Sequence, residues 1–399
     1  MLPYVLDWLN LLVRWFHFVA GISWIGASFF FIWLDNHLVK PADAADAANG
    51  VSGELWSVHG GGFYHNQKYL TGPKNEPLTE HLHWFKWEAY STWISGMAML
   101  ALIYWVGADT FLIDKSVMVL TPASAILVSI ASLILGWLVY DGLCRLLGSD
   151  PRVLAGAISV FLLAADWALF HLFSARAAYI HVGAIIGTIM VANVFFVIIP
   201  GQKKMLAQIR AGQQPDPRPG QLGKIRSVHN TYLTLPVLFI MISNHYPMTY
   251  QNANGWLVLA AIAVAGVLVR YFFVLTHKQR LVIGLPIAAF AILAITAVAI
   301  APRPPAPAAD APVVTFATVR PIVAQRCAVC HAAHPTRPGF AIAPAGVLLD
   351  TPERIAANAQ RIRMQAVDAK AMPLGNVTDM TDAERATLGA WISQGAKTP

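Results

Sequence analysis

A chain of 399 residues that is 56% hydrophobic and only 12% charged is neither an average soluble domain nor a disordered one. Its net charge of +7 would suit nucleic acid, but the basic residues fall in short segments between long apolar runs. That distribution excludes nucleic acid and points to a lipid bilayer; three cysteines exclude a disulfide framework.

Eight apolar runs are long enough to span a bilayer, roughly 8–34, 84–106, 117–144, 153–174, 178–200, 228–246, 255–276 and 281–301. Nothing at the start reads as a cleavable signal peptide, because the first run is too long and lacks a basic leader. If the N-terminus lies outside, the inner connections 35–83, 145–152, 201–227 and 277–280 hold Lys40, Lys68, Arg145, Lys203, Lys204, Arg210, Arg226 and Lys278 among others. The outer connections hold only Lys115 and Arg176. This positive-inside pattern returns the C-terminus to the outside.

The first four runs and the last four look like parallel copies of a four-helix unit. Arg14-Trp15-Phe16-His17 parallels Ala178-Tyr179-Ile180-His181, Glu88-Ala-Tyr90 parallels Asn230-Thr-Tyr232, and Gly136-Trp-Leu-Val-Tyr140 parallels Gly266-Val-Leu-Val-Arg270. A histidine inside a span is costly without a partner. His17 and His181 hold equivalent places in the two units, which makes them candidate ligands of a b-type haem; hydrogen bonding within the bundle is the other reading. Asp141, Asp166, Asn193, Asn244 and Arg270 are further polar groups within runs.

Between the first two runs stands His59-Gly-Gly-Gly-Phe-Tyr-His65-Asn-Gln-Lys68, then His81-Leu-His83-Trp84-Phe85-Lys86-Trp87-Glu88. Glycines let a backbone approach a ligand closely, aromatics stack on a planar one, and His, Lys and Glu supply a base, a counter-charge and an acceptor. His59, His65, Lys68, His83 and Glu88 are therefore candidate catalytic residues; a structured interfacial loop is the alternative.

After the last run, residues 302–313 form a proline- and alanine-rich linker. Cys327-Ala-Val-Cys330-His331 follows. Two thiols at this spacing fit the vinyl groups of one haem c, with His331 as proximal iron ligand. Met372, before Pro373, is the expected second ligand, with Met364 and Met380 as competitors. Thr381-Asp-Ala-Glu384 predicts a capping box opening a last helix whose apolar face carries Leu388, Trp391 and Ile392. Residues 314–399 resemble a class I cytochrome c domain. Covalent haem attachment occurs outside the cytoplasmic membrane, in agreement with the charge pattern.

The predicted fold is thus all-α: an eight-span transmembrane bundle (1–301), a linker (302–313) and a small cytochrome c domain (314–399). The opening Trp15-Phe-His17 with Trp24-Ile-Gly26 resembles the first helix of the four-helix family that includes a bacterial haem-dependent protoporphyrinogen oxidase, whose matching histidine binds haem. The opening helix, the His-Gly-Gly-Gly-Phe-Tyr-His segment, the His-Trp-Phe-Lys-Trp-Glu-Ala-Tyr entry and the C-terminal haem motif together resemble the membrane-bound bacterial urate oxidases. That resemblance implies oxidation of urate to 5-hydroxyisourate in the bacterial inner membrane; the charge pattern and the haem motif place the N-terminus and cytochrome domain on the periplasmic side. Electrons would pass through the haem to a soluble cytochrome c or a terminal oxidase. It implies no particular catalytic residues; an inner urate site would use Lys68 or Lys86 and Trp84 or Trp87, an outer one Arg14, Arg176 and His171. A non-catalytic electron-transfer subunit fed by a quinol or partner dehydrogenase is the alternative, and a duplicated-bundle transporter is a third reading.

Overall fold

The computed structural model describes residues 2–301 and 312–399, so all but the last two residues of the linker 302–313 lie outside the described residues. The chain is mostly helical. Helix α1 (Leu2–His37) leads to the short α2 (Ala44–Asn49), the strands β1 (Val51–His59) and β2 (Gly62–Tyr69), and α3 (Trp87–Leu100), which continues with π-helical geometry through Ala101–Trp105. Next come α4 (Pro122–Leu147), α5 (Pro151–Phe170) and α6 (Ala175–Ala192), the last running through a π-helical stretch at Asn193–Ile198 into α7 (Ile199–Arg210). Helix α8 (Arg218–Ser243), the short α9 (Pro247–Tyr250), α10 (Gly255–His277) and α11 (Gly284–Ala299) complete the bundle.

Local chemistry sets these boundaries. Thr121 and Ser124 form a capping box at the start of α4, while Asp150 accepts from the backbone N–H groups of Arg152 and Val153 at the start of α5; both helices have proline in their first turn. Helix α6 is the central one. Tyr179, His181, Ile185, Ile189 and Met190 are all buried on it, whereas Leu127, Ile134 and Leu138 of α4 and Ile287, Phe290 and Ile295 of α11 face outward. Such an apolar exterior fits hydrocarbon and not water.

Among the described residues, six helices are long and apolar enough to cross a membrane: Tyr4–His37, Pro122–Leu147, Pro151–Phe170, Ala175–Arg210, Arg218–Ser243 and Gly255–His277. The other two expected runs are also helical, 87–105 in two segments and Gly284–Ala299 as a 16-residue helix. Several helices outrun their apolar cores. Helix α8 begins at Arg218, so Lys224 and Arg226, expected in a connection, lie on helical turns.

The expectation of an all-α chain is corrected at residues 51–69. There β1 and β2 pair antiparallel, with Trp56 opposite His65 and His59 opposite Gly62. Gly60 and Gly61 make the two-residue turn with φ of 58° and 82°, the left-handed geometry a tight hairpin needs. The glycine run thus serves the turn.

The C-terminal region has its own core. Helices α12 (Phe316–Val323), α13 (Pro352–Ala357), α14 (Ala359–Ile362) and α15 (Asp382–Ser393) enclose Val319, Val323, Ile355, Leu388, Trp391 and Ile392. The predicted capping box is present: Thr381 accepts from the Glu384 backbone and Glu384 from that of Thr381. This region meets the bundle through Gly375, whose backbone lies against the carbonyls of Thr110 and Ile113. Lys68 of the hairpin pairs with Asp35 near the end of α1, where Phe31 packs on Phe85 just before α3; α3 leads from there toward 108–113, so the C-terminal region meets the bundle at the end opposite the hairpin.

Candidate functional site

A cavity of about 540 Å³ opens inside the C-terminal region. Cys327, Cys330, His331 and Met372 all line it, among the apolar side chains of Phe340, Leu349, Ile362 and Leu374; Thr110 of the bundle closes one edge. His331 donates from Nδ1 to the Val347 carbonyl at 3.1 Å, which leaves Nε2 free for an iron. Burial pushes the Cys327 thiol up to about 12 and raises that of Cys330. Of the three methionines, Met380 is buried in the core at 3% exposure, while Met364 and Met372 both reach the cavity. These residues fit a covalently held haem with a histidine and a thioether ligand.

The sequence did not single out the two arginines that brace this cavity. Arg385 on α15 is buried and donates to the carbonyls of Met372 and Ala366 and to Asn376 Oδ1. Arg326, next to Cys327, pairs with Glu384 at 3.0 Å and donates to the Thr378 carbonyl. Burial opposes ionisation of Glu384, yet the Thr381 N–H and the Arg326 guanidinium outweigh it and hold the carboxyl below its usual range. The only signal was a pair of arginines close to otherwise apolar helix faces.

The five candidate catalytic residues fall into two groups, one on the hairpin and one at the entrance to α3. His65 bonds Glu54 at 2.9 Å and stacks on Trp56, with ring centroids 4.3 Å apart; Lys68 pairs with Asp35; His59 ends β1 at the turn. His83 and Glu88 stand 3.9 Å apart at the entrance to α3. Beside that entrance lies an open cavity of about 410 Å³ between the 80–86 segment and α7, lined by Trp84, Lys86, Lys203 and Arg210, with Glu80 as its one carboxylate. Its charge suits small anions.

His17 and His181 sit on different helices with different surroundings. His17 Nδ1 contacts the Thr92 carbonyl at 2.9 Å and Ser95 Oγ at 3.0 Å, leaving Nε2 unengaged. His181 is fully buried, with Nδ1 on the Ala177 carbonyl and Nε2 2.7 Å from Ser129 Oγ. A haem b between them would need the Ser129 bond to be given up. Elsewhere in the bundle, Arg226 is paired with Asp141 at 2.6 Å, and Asn193 bridges Tyr140 and Asn230. No group of three or more His, Cys, Asp or Glu side chains able to hold a metal ion occurs among the described residues.

Helices of membrane-crossing length, joined to a small helical unit whose cavity is lined by a Cys-x-x-Cys-His motif, define a membrane-type protein. Residues 3–301 match the urate oxidase N-terminal family, and the chain belongs to that family. Comparison with curated proteins and with solved structures finds no match. The family gives the bundle a urate-related, oxidoreductase character.

Proposed function

We propose that this chain is a membrane-bound, cytochrome-linked urate oxidase. The match of residues 3–301 to the urate oxidase family carries the reading. The reaction balances as urate and water giving 5-hydroxyisourate, two protons and two electrons; the new oxygen comes from water, and the electrons leave through the C-terminal region instead of reducing oxygen at the urate. Cys327 and Cys330 would attach a haem c, with His331 Nε2 and the Met372 sulfur as its ligands. A haem so held takes up and releases one electron at a time. The acceptor beyond it is a soluble cytochrome c or a terminal oxidase.

The same proposal gives the bundle eight spans, with the hairpin end cytoplasmic and the N-terminus and C-terminal region periplasmic in a bacterial inner membrane. The basic connections at the hairpin end support this orientation. At that end, the cavity at Lys86, Lys203 and Arg210 draws in the urate anion, and Trp84 offers a face for a planar ring. A haem b at His17 and His181 belongs to the proposal, with Ser129 yielding its place at His181.

The test is an absorption spectrum of the purified oxidised protein, without oxygen, before and after urate. Urate-dependent appearance of reduced haem bands supports the reading. Haem that dithionite reduces and urate does not would put the electron-transfer subunit in its place.

A further inference from the structure

Arg270 lies on α10 at 4% exposure. No carboxylate stands within ion-pair distance of it among the described residues, in contrast to the buried Arg226 with its Asp141. Its guanidinium lies over the Phe29 ring of α1, 4.0 Å from the centroid. That contact offsets part of the cost of a buried charge but satisfies no N–H. Both Nε and Nη2 are buried without a hydrogen-bond partner.

These two nitrogens share one edge of the guanidinium, and their N–H groups point the same way. This is the fork that grips two adjacent acceptors of a planar anion. A fork left open on both prongs in a membrane-spanning helix is costly, so it marks a place where a ligand completes the structure. A second observation points the same way. His277, seven residues along α10, also has a buried, unpartnered Nδ1, and its ring lies 5.2 Å from that of His37 on α1.

We propose that Arg270 is the seat of the substrate anion: an O=C–N⁻ edge of urate accepts from Nε and Nη2, and the Phe29 ring borders the purine. The inference rests on the urate reading and assigns the site within it. Urate is planar, anionic near neutral pH, and presents an oxygen beside a deprotonated nitrogen at the spacing the fork requires. Unlike His65 and Lys68, which already have carboxylate partners, Arg270 has its bonding capacity to spare.

The test is equilibrium binding of radiolabelled urate to the purified full chain in its reduced state, which cannot turn over. Arg270→Gln is expected to weaken binding by roughly 30-fold or more, the change that loss of one partner of a buried charge pair produces. Arg270→Lys keeps the charge without the fork and is expected to recover only a minor part. Phe29→Leu, on the other helix, is expected to weaken binding several-fold and gives a second reading should the arginine variants not fold. If the wild type binds urate and all three variants bind it as tightly, the seat is wrong and the urate reading stands. A wild type that neither binds nor oxidises urate overturns both. If purified wild type instead carries a non-covalent cofactor with a carboxylate that Arg270→Gln loses, the fork belongs to that carboxylate and the proposal fails.

Discussion

The guanidinium of Arg385 donates to the backbone carbonyl of Met372 at 2.6 Å. It also bonds the Ala366 carbonyl and Asn376, so one buried side chain ties α15 to the segments before and after the expected thioether ligand. Arg385→Ala leaves those acceptors unpaired and is expected to cost the C-terminal region roughly 3 kcal/mol. If Met372 ligates a haem iron, the variant also weakens that bond. Thermal unfolding followed by haem absorbance, together with the weak near-red band of a ferric thioether bond, checks both. A wild-type melting temperature and an intact band would show that the brace is dispensable.

The joint between the two parts of the chain rests on a residue that cannot be enlarged. Gly375 has φ of +57°, and a Cβ there would lie 2.7 Å from the Thr110 carbonyl oxygen and 3.1 Å from that of Ile113. Gly375→Val meets both a disfavoured backbone and a clash with backbone atoms that cannot turn aside. The expected outcome is a C-terminal region that folds but leaves the bundle. Hydrogen exchange at 108–114 should rise while protection within α15 stays unchanged; equal protection at 108–114 would show that the contact survives.

Features that depend on a few neighbouring residues were readable in advance. Thr381 and Glu384 specify a capping box by spacing alone. The hairpin was legible in principle, since Trp56-Ser-Val-His and Phe63-Tyr-His alternate around a glycine turn, but that glycine run is equally what a ligand loop would carry. Pairings across the fold left no such trace. Arg226 was expected in a connection because the hydropathy of α8 rises only later, and its partner Asp141 lies 85 positions away. Arg270 was visible as an isolated charge in an apolar run, but that its fork is open could be known only from what surrounds it.

The Arg226–Asp141 pair is largely enclosed, with side chains 8% and 13% exposed, and Arg226 also lies 5.1 Å from the Tyr140 ring. Removing one partner strands the other charge among apolar helices. Asp141→Asn is expected to destabilise the bundle by about 3–5 kcal/mol. A large drop in the yield of monodisperse detergent-solubilised protein, with a lowered melting temperature, would bear this out. Arg145→Ala is the control: it removes only an exposed partner of the same carboxylate and should change little.

Glu54 fastens the hairpin to the chain that follows α1. Its carboxylate accepts from the Ala42 N–H at 2.8 Å and from His65 at 2.9 Å, while its backbone bridges to Val39. The Ala42 hydrogen bond is the main reason its carboxyl is held below the ordinary glutamate range; burial works against that shift and His65 adds to it. Because the folded pKa is the lower one, the stabilisation is fully present above the ordinary glutamate value of about 4.3. It is lost as pH falls through the folded value. Acidification from pH 5 downward should therefore loosen the hairpin before the bundle. The fluorescence of Trp56, stacked on His65, reports this as the difference between the protein and its Trp56→Phe variant. Glu54→Gln should show the loosened signal already at pH 6 and no further change on acidification. A difference signal that stays flat to pH 3 in the unsubstituted protein would mean that the Glu54 carboxylate does not hold the hairpin in place.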